Sequence, residues 1–429
     1  MRLGGRLAAA IELLDLIDTD PRPADMLVRE YFRSRRYAGS GDRRMISGLV
    51  YSVVRNRGMI DWRLTQTFLP VSNRLRVFLE FENSAVAEIG GEPHAPDAPS
   101  GEEAEQLRIG RGLEPDAAPE NAQLNLPEWL PGAVRDGTLE VSQDALIAAF
   151  SGRAATDIRV NLTRTTRSEL QAELAEAGVE TTELAWVPTA LRLSEPAQLE
   201  NLPSFRAGKF EVQDAGSQYV AHLLGAKPGE RVADICAGAG GKTLALADTM
   251  AGEGILFASD IDGKRLRRLQ ARAVRAGHDD IEAYYVGAND DWPDGWAGTM
   301  DRVLVDAPCS GSGTWRRQPE QRWRFAPERL KELSRIQASV LDRAAKLTKP
   351  GGRLVYATCS FLRSENETAI TNFLDRNAGF SMTPWTDAAL EASLPLPSGG
   401  ADGQPFLRLS PFDHGVDGFF AAVMTRAIG

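Results

Sequence analysis

Between Arg231 and Thr358 the chain repeats one unit: a short apolar run, a turn, then an amphipathic stretch long enough for a helix. The apolar runs are Arg231–Cys236, Gly254–Asp260, Ile281–Val286, Arg302–Ala307 and Arg353–Thr358. Helical periodicity fills Lys242–Met250, Lys264–Ala276 and Pro327–Thr348. Val-, Leu- and Ile-rich strands without polar alternation need cover on both faces. A doubly wound, mostly parallel sheet provides it, and binds its ligands at the carboxyl ends of the strands.

The first strand runs into Asp234-Ile-Cys-Ala-Gly-Ala-Gly-Gly-Lys-Thr243. Glycines in this turn let the backbone approach a ligand at a helix N-terminus. A phosphate-binding P-loop needs glycine where Cys236 stands, and a dinucleotide fingerprint needs it where Thr243 stands. S-adenosylmethionine carries no phosphate and needs a Gly-rich turn with an acid at the strand end, which Asp234 provides. Asp260 ends the second strand, 22 residues after Gly238, where a carboxylate accepts ribose hydroxyls. The bland alternative for Asp260 is an acid in a surface turn. Taken together, these features predict an adenosine cofactor held by Asp234, Cys236, Ala237, Gly238, Gly240, Gly241 and Lys242. Asp260, Arg265, Asn289 and Asp306 complete the expected set.

Two cysteines occupy matching places. Asp306-Ala-Pro-Cys309 follows the fourth strand, and Thr358-Cys359 follows the fifth. A lone cysteine is usually a small buried hydrophobe. Two of them ending strands at the ligand edge favour chemistry instead, whereas Cys236 also reads as an ordinary buried residue. Carbon 5 of a pyrimidine is too weak a nucleophile to take a methyl group directly. A thiolate adding to carbon 6 makes carbon 5 reactive. A carboxyl group near ring nitrogen 3 would stabilise the developing charge, and Asp306 lies three residues from Cys309. A second thiol would help release the adduct.

Composition bounds the rest. The 429 residues suggest several domains, and 43% hydrophobic with 25% charged residues is ordinary for a folded protein. Three cysteines exclude a disulfide framework, four scattered histidines argue against a metal site, and no apolar run spans a membrane. The N-terminus is too charged for a secretory signal, so a cytoplasmic protein is expected. The net charge of −10 disfavours nucleic acid until it is located. Residues 80–145 hold fifteen acids and three arginines, while residues 1–79 hold fourteen arginines and eight acids. A second basic run, Arg316, Arg317, Arg322, Arg324, Arg329, Lys331 and Arg335, follows the Pro-Cys turn. Either run is equally well a solvated face. Residues 2–79 read as helices, 90–120 as an acidic linker or loosely packed insert, and 125–213 as a small α+β unit.

These motifs resemble the RsmB/Sun/Fmu-type bacterial RNA cytosine-5 methyltransferases. The resemblance rests on the Pro308-Cys309 and Thr358-Cys359 pair and on Phe210–Gln218. Arg322-Trp-Arg324, Glu365-Asn-Glu367 and Asp417-Gly-Phe-Phe420 also match. It implies a class I methyltransferase fold over 214–429 and an RNA-recognition-like domain over 125–213. It further implies a helical NusB-like RNA-binding domain over 1–84, with 85–124 as the insert. Cys359 is then the nucleophile, and Cys309 assists release. Asp306 touches the cytosine, Lys242 lies by the methionine end of S-adenosylmethionine, and Arg316, Arg317, Arg322 and Arg324 meet RNA. Small-subunit ribosomal RNA is the implied partner, with no metal and no membrane. The sequence departs from the family at Gly238-Ala239, where Ala-Pro is usual, and this predicts a more flexible loop. It also lacks the usual acid after the third strand, offering Asn289 or Asp290. The altered loop leaves one rival: a non-catalytic RNA-binding or ribosome-assembly factor on a degenerate methyltransferase fold.

Overall fold

The computed structural model describes residues 1–81, 89, 91–138, 141–398 and 403–428. They form two compact units, Met1–Arg153 with Trp315–Ala326, and Ala154–Thr314 with Pro327–Gly429.

The first unit is helical. Helices Leu3–Thr19, Ala24–Ser34, Ser40–Gln66 and Asn73–Glu80 bury Leu7, Leu13, Leu27, Val50, Leu64 and Phe78 in one core. The start of Ser40–Gln66 is closed by Asp42, whose carboxylate accepts the Gly39 N–H at 3.1 Å. The same carboxylate holds Arg6 at 2.7 Å and the terminal ammonium of Met1 at 3.1 Å.

The acidic stretch is not a loose linker where it is described. Gly101–Arg111 is a helix whose N-terminus is closed by Ser100 and Glu103. Leu107 is buried in the unit's core, and Glu103 pairs with Arg74 at 2.9 Å. Leu107, the close Gly110 and Arg111, which donates to the carbonyls of Phe78 and Leu79, dock it, so a count of large apolar residues underrates the segment. Residues 82–88 and 90 of the expected insert and its border lie outside the described residues. Helices Leu130–Gly137 and Gln143–Ser151 also belong to this unit, so the sheet within 125–213 begins only at Asp157.

Trp315–Ala326 carries the four arginines expected to meet RNA, and the structure places them differently from one another. Trp315 is buried against Phe150 and Phe325, with ring centroids 6.2 and 6.1 Å apart. Arg322 has no exposed surface and donates to the carbonyls of Pro319 and Phe150 at 3.1 and 3.3 Å. Burial pulls its guanidinium down to about 9, helped by the neighbouring charge of Arg55. Arg316 is buried as well. Arg324 donates to the carbonyls of Pro21 and Arg22 at 3.1 and 2.9 Å and also to Ile17, closing the end of the first helix. Arg317 alone of the four is exposed. Arg322 and Arg324 are spent on backbone carbonyls, which a phosphate would have to displace.

The second unit carries two sheets. Strands β1 (Asp157–Val160), β2 (Thr181–Glu183), β3 (Ala190–Leu193) and β4 (Phe210–Val212) form a small antiparallel sheet in the order β2-β3-β1-β4. The helix Arg167–Glu176 buries Leu170 and Leu174 in its core. The large sheet contains β5 (Arg231–Asp234), β6 (Ile255–Asp260), β7 (Glu282–Tyr285), β8 (Met300–Asp306) and β9 (Thr348–Thr358), all parallel. β10 (Phe380–Thr383), β11 (Leu407–Leu409) and β12 (Phe419–Arg426) complete it. The order is β10-β12-β9-β8-β5-β6-β7, with β12 antiparallel to β9 and β11 paired to β12. The order reverses between β5 and β8, which puts the ligand crevice at their carboxyl ends.

The clasp made by Arg324 gives a stability prediction. A net hydrogen bond from a charged group is worth about 1.5–3 kcal/mol, less when partly exposed. Arg324→Ala should lower the unfolding free energy by about 1–3 kcal/mol in urea denaturation. Unchanged stability with weakened RNA binding would return the residue to the RNA surface.

Candidate active site

The crevice is a cleft of about 1080 Å³. Its floor is the turn after β5. Gly240 has φ +85°, and a Cβ there would lie 2.7 Å from the Leu269 side chain. Glycine is therefore required to start the helix Gly241–Met250 at this angle. The loop expected to be flexible is tied down from three sides. Arg272 donates to Ala239 O at 2.6 Å, Arg159 donates to Gly241 O at 2.8 Å, and Asp260 accepts Gly238 N–H at 2.8 Å. Arg159 comes from β1 and is itself buried, paired with Asp248 at 3.1 Å. The small sheet thus anchors the cofactor turn, and the missing proline is compensated by guanidinium contacts.

Of the residues expected at the cofactor, Cys236, Ala237, Gly238, Gly241, Lys242, Asp260, Arg265, Asn289 and Asp306 line the cleft. Gly240 acts through its backbone angle, and Asp234 lies buried beneath the turn. Thr243 donates to one Asp234 oxygen at 2.7 Å, while the other has no partner. Burial pushes this carboxyl up to about 7, with the Asp306 charge adding to it. Asp290 turns away from the cleft's chemistry to accept Gly287 N–H at 2.7 Å, leaving Asn289 on the wall.

Sequence reasoning missed the device that shapes this wall. Arg343 donates to the carbonyls of Gly287, Ala288 and Asp290 at 2.9, 2.7 and 2.9 Å. Its guanidinium also lies 4.5 Å from the Trp292 ring centre, a cation–π contact. Nothing local in the sequence ties Arg343 to a loop more than fifty residues earlier.

The thiols meet at the other end of the cleft. β8 and β9 pair in parallel with Asp306 opposite Ala357, so both strands finish level. Cys309 and Cys359 follow them and bring their sulfurs to 3.5 Å, unbonded and both lining the cleft. Lys242 reaches Asp306 at 2.7 Å and sits 5.3 Å from the Phe419 ring. Burial works against the Lys242 ammonium, but Asp306 outweighs it and holds its pKa above the ordinary value. The Cys309 thiol is pushed well up by its contact with Cys359, then by burial. Burial likewise raises Cys236, beside Asp234, Asp260 and Asp306, and suits it to a packing role. The four expected catalytic residues, Cys359, Cys309, Asp306 and Lys242, therefore converge.

The two cysteine loops are locked to each other. Gly313 donates to Cys359 O at 3.0 Å, and Gly418 donates to Gly313 O at 2.9 Å. A Cβ on Gly418 would stand 2.5 Å from the Phe361 ring and 2.8 Å from Gly313 Cα, which accounts for the glycine of Asp417-Gly-Phe-Phe420 packing here. Asp214 accepts Asp417 N–H at 3.1 Å and caps the helix Ala215–Leu223, joining the Phe210–Gln218 motif to the same corner.

Known proteins share this sequence pattern and fold. Residues 221–425 match the family model for the 16S rRNA methyltransferase RsmB/F, and residues 126–200 match the ferredoxin-like domain of RsmF/B-like methyltransferases. The chain is 34% identical over 306 residues to a probable ribosomal RNA small subunit methyltransferase B of Synechocystis sp., covering 71% of this chain and 68% of that one. It is 36% identical over 309 residues to ribosomal RNA small subunit methyltransferase B of Klebsiella pneumoniae, covering 72% and 67%. The solved structure of PH0851 matches over 99% of each chain with a TM-score of 0.76 and 27% identity. A methyltransferase homolog protein from Pyrococcus horikoshii matches with a TM-score of 0.58 and 26% identity, covering 73% and 100%.

The buried Asp234 carries a pH signature. A carboxyl whose pKa is about 7 in the fold and 3.8 ordinarily binds its proton more tightly when folded. Its contribution to stability is full below its ordinary pKa and is lost as pH rises through 7. Asp234→Asn, neutral throughout, should raise the melting temperature at pH 8, with the gain shrinking toward pH 5. A gain independent of pH would contradict the assignment.

Proposed function

The chain belongs to the RsmB/F family of 16S rRNA methyltransferases, and from that premise we propose that it methylates carbon 5 of cytosine in ribosomal RNA through a covalent bond from Cys359. The observation that carries this reading is the pair of sulfurs 3.5 Å apart in the cofactor cleft. S-adenosylmethionine fits the residues present: a glycine turn at a helix N-terminus, Asp260 at the ribose position, and the unpartnered oxygen of buried Asp234. When bound, it supplies an electrophilic methyl group.

The chain's own groups account for the other steps. A cytosine must leave its stack to enter the cleft, and a single-stranded or loosely paired one does so at least cost. The Cys359 sulfur bonds to carbon 6, and the electron pair of the 5,6 double bond moves toward carbon 5 and the N3 side of the ring. Asp306, fixed by Lys242, is the carboxyl positioned to share a proton with N3. After carbon 5 is methylated, its proton passes to a base while the sulfur–carbon 6 bond breaks and Cys359 leaves as thiolate. Cys309 acquires the base role in turn. Its largest obstacle to ionisation is Cys359 itself, and that obstacle disappears once Cys359 is a neutral thioether. Each thiol is then available at the step that needs it.

RNA phosphates find their cations on the cleft walls. Arg268 and Arg335, from the helices Gly263–Ala276 and Pro327–Leu347, are exposed and line the cleft. They take the place assigned from sequence to Arg322 and Arg324. The rival reading, a binding factor without catalysis, loses its one support because the altered loop is held by Arg159, Arg272 and Asp260.

Two experiments test this. Cys359→Ala should abolish methyl transfer and any denaturation-resistant RNA–protein adduct, whereas Cys309→Ala should accumulate the adduct. Turnover by the Cys359 variant would end the proposal, and bisulfite sequencing of the RNA product reads the position directly. Replacing Arg268 and Arg335 by Ala should weaken RNA binding and reduce the log–log salt slope by about 0.7 per lost phosphate contact. An unchanged slope would place the RNA elsewhere.

A further inference from the structure

Glu365 is a carboxylate with no exposed surface, and each of its oxygens is fully engaged with the two cysteine loops. One oxygen accepts the Ser310 N–H at 2.8 Å and Gln337 Nε2 at 3.0 Å. The other accepts the Ser310 and Ser360 hydroxyls, both at 2.5 Å. Ser310 follows Cys309 directly, and Ser360 follows Cys359 directly. Gln337 also donates to Pro308 O at 2.9 Å, so the Pro-Cys turn is gripped from both sides. The backbone around Glu365 is fixed in turn. Tyr356 donates to Glu365 O at 2.7 Å, and Thr358 and Asn366 join at 2.6 Å. A buried charge is retained at a cost of several kcal/mol unless it is fully hydrogen-bonded, and this one is.

We propose that Glu365 is the positioning residue of the thiol pair: it clamps the two cysteine loops through Ser310 and Ser360 and places its carboxylate charge against Cys309. This rests on reading the two cysteines as the working pair. A merely structural clamp needs hydrogen bonds but no charge. Here the charge has a direction. Glu365 and Tyr356 face Cys309, while the Lys242 ammonium, paired with Asp306, lies within electrostatic reach of Cys359. The anion beside Cys309 favours keeping its proton, while the Lys242 cation stands on the side of Cys359. The asymmetry is therefore set before RNA arrives. The paired Cys-Ser steps, one after each strand, are its trace in the sequence.

The test uses the full-length protein without RNA or cofactor, so its outcome is independent of the base methylated. Iodoacetamide alkylation of each cysteine is followed against pH by peptide mass spectrometry. Cys309 is read in a Cys359→Ser background, and Cys359 in a Cys309→Ser background. Glu365→Gln keeps the hydrogen-bonding shape and removes the charge. It should speed Cys309 alkylation at pH 8 by about threefold or more, a shift of at least half a pKa unit. Cys359 should change by less than about twofold under the same conditions. Equal changes at both thiols, or none at Cys309, would overturn the proposal. Glu365→Ala removes clamp and charge together and should also slow methyl transfer. If that variant does not fold, the Gln variant still decides.

Discussion

The parallel pairing of β8 with β9 is the constraint on which the site depends. Asp306 stands opposite Ala357, so two chain segments 50 residues apart end at the same height on the sheet. Three residues past one strand and one past the other, the sulfurs meet. A one-residue change of register would turn every side chain of a strand to the opposite face of the sheet and separate them. The buried hydroxyl, amide and carboxylate groups around Glu365 then refine what the register has already placed. Backbone pairing sets the approach of the loops, and side-chain hydrogen bonds set the geometry of the two thiols.

The same corner shows how ionisable groups are retained in a buried site. Asp234, Lys242 and Cys309 are each shifted by burial and by their neighbours in this corner. Each group held away from its ordinary charge state represents stability given up for chemistry. Asp234 is driven toward neutrality by burial, whereas Lys242 is held charged by Asp306. The site thus carries a cation near Cys359 without an unpaired buried charge.

Much of this was legible in the sequence because it is local. The five parallel strands are apolar runs with clear boundaries, and the cysteines stand at their ends. The strand-end acids Asp234 and Asp260 follow from the same pattern. What escaped is non-local or too short for periodicity. β2 and β4 have three residues each, too few to show alternation. β12 is an apolar run like the others, yet its insertion between β9 and β10 is decided by pairing partners far along the chain. Arg343 shapes the cleft wall by reaching back to three carbonyls, and no spacing rule connects it to Gly287. Gly101–Arg111 docks through Leu107 on one face and the Glu103–Arg74 pair, while Glu102 and Glu105 stay exposed.

The arginines show the limit most sharply. Arg322, Arg324 and Arg335 stand in one basic run, and composition treats them alike. Burial separates them. A guanidinium has five N–H donors and no acceptor, so it can be taken into a fold only where oxygen atoms converge. Helix ends provide such oxygens, because their last carbonyls lack intrahelical partners. Arg324 finds them at the end of Leu3–Thr19, and Arg322 finds the carbonyl of Phe150 near the end of Gln143–Ser151. Arg335 lies on the exposed side of a long helix, on the wall of the cleft. Identical side chains thus divide between the interior and the cleft wall according to whether a helix terminus is at hand. That terminus belongs to a segment hundreds of residues away, and the basic run by itself carries no mark of it.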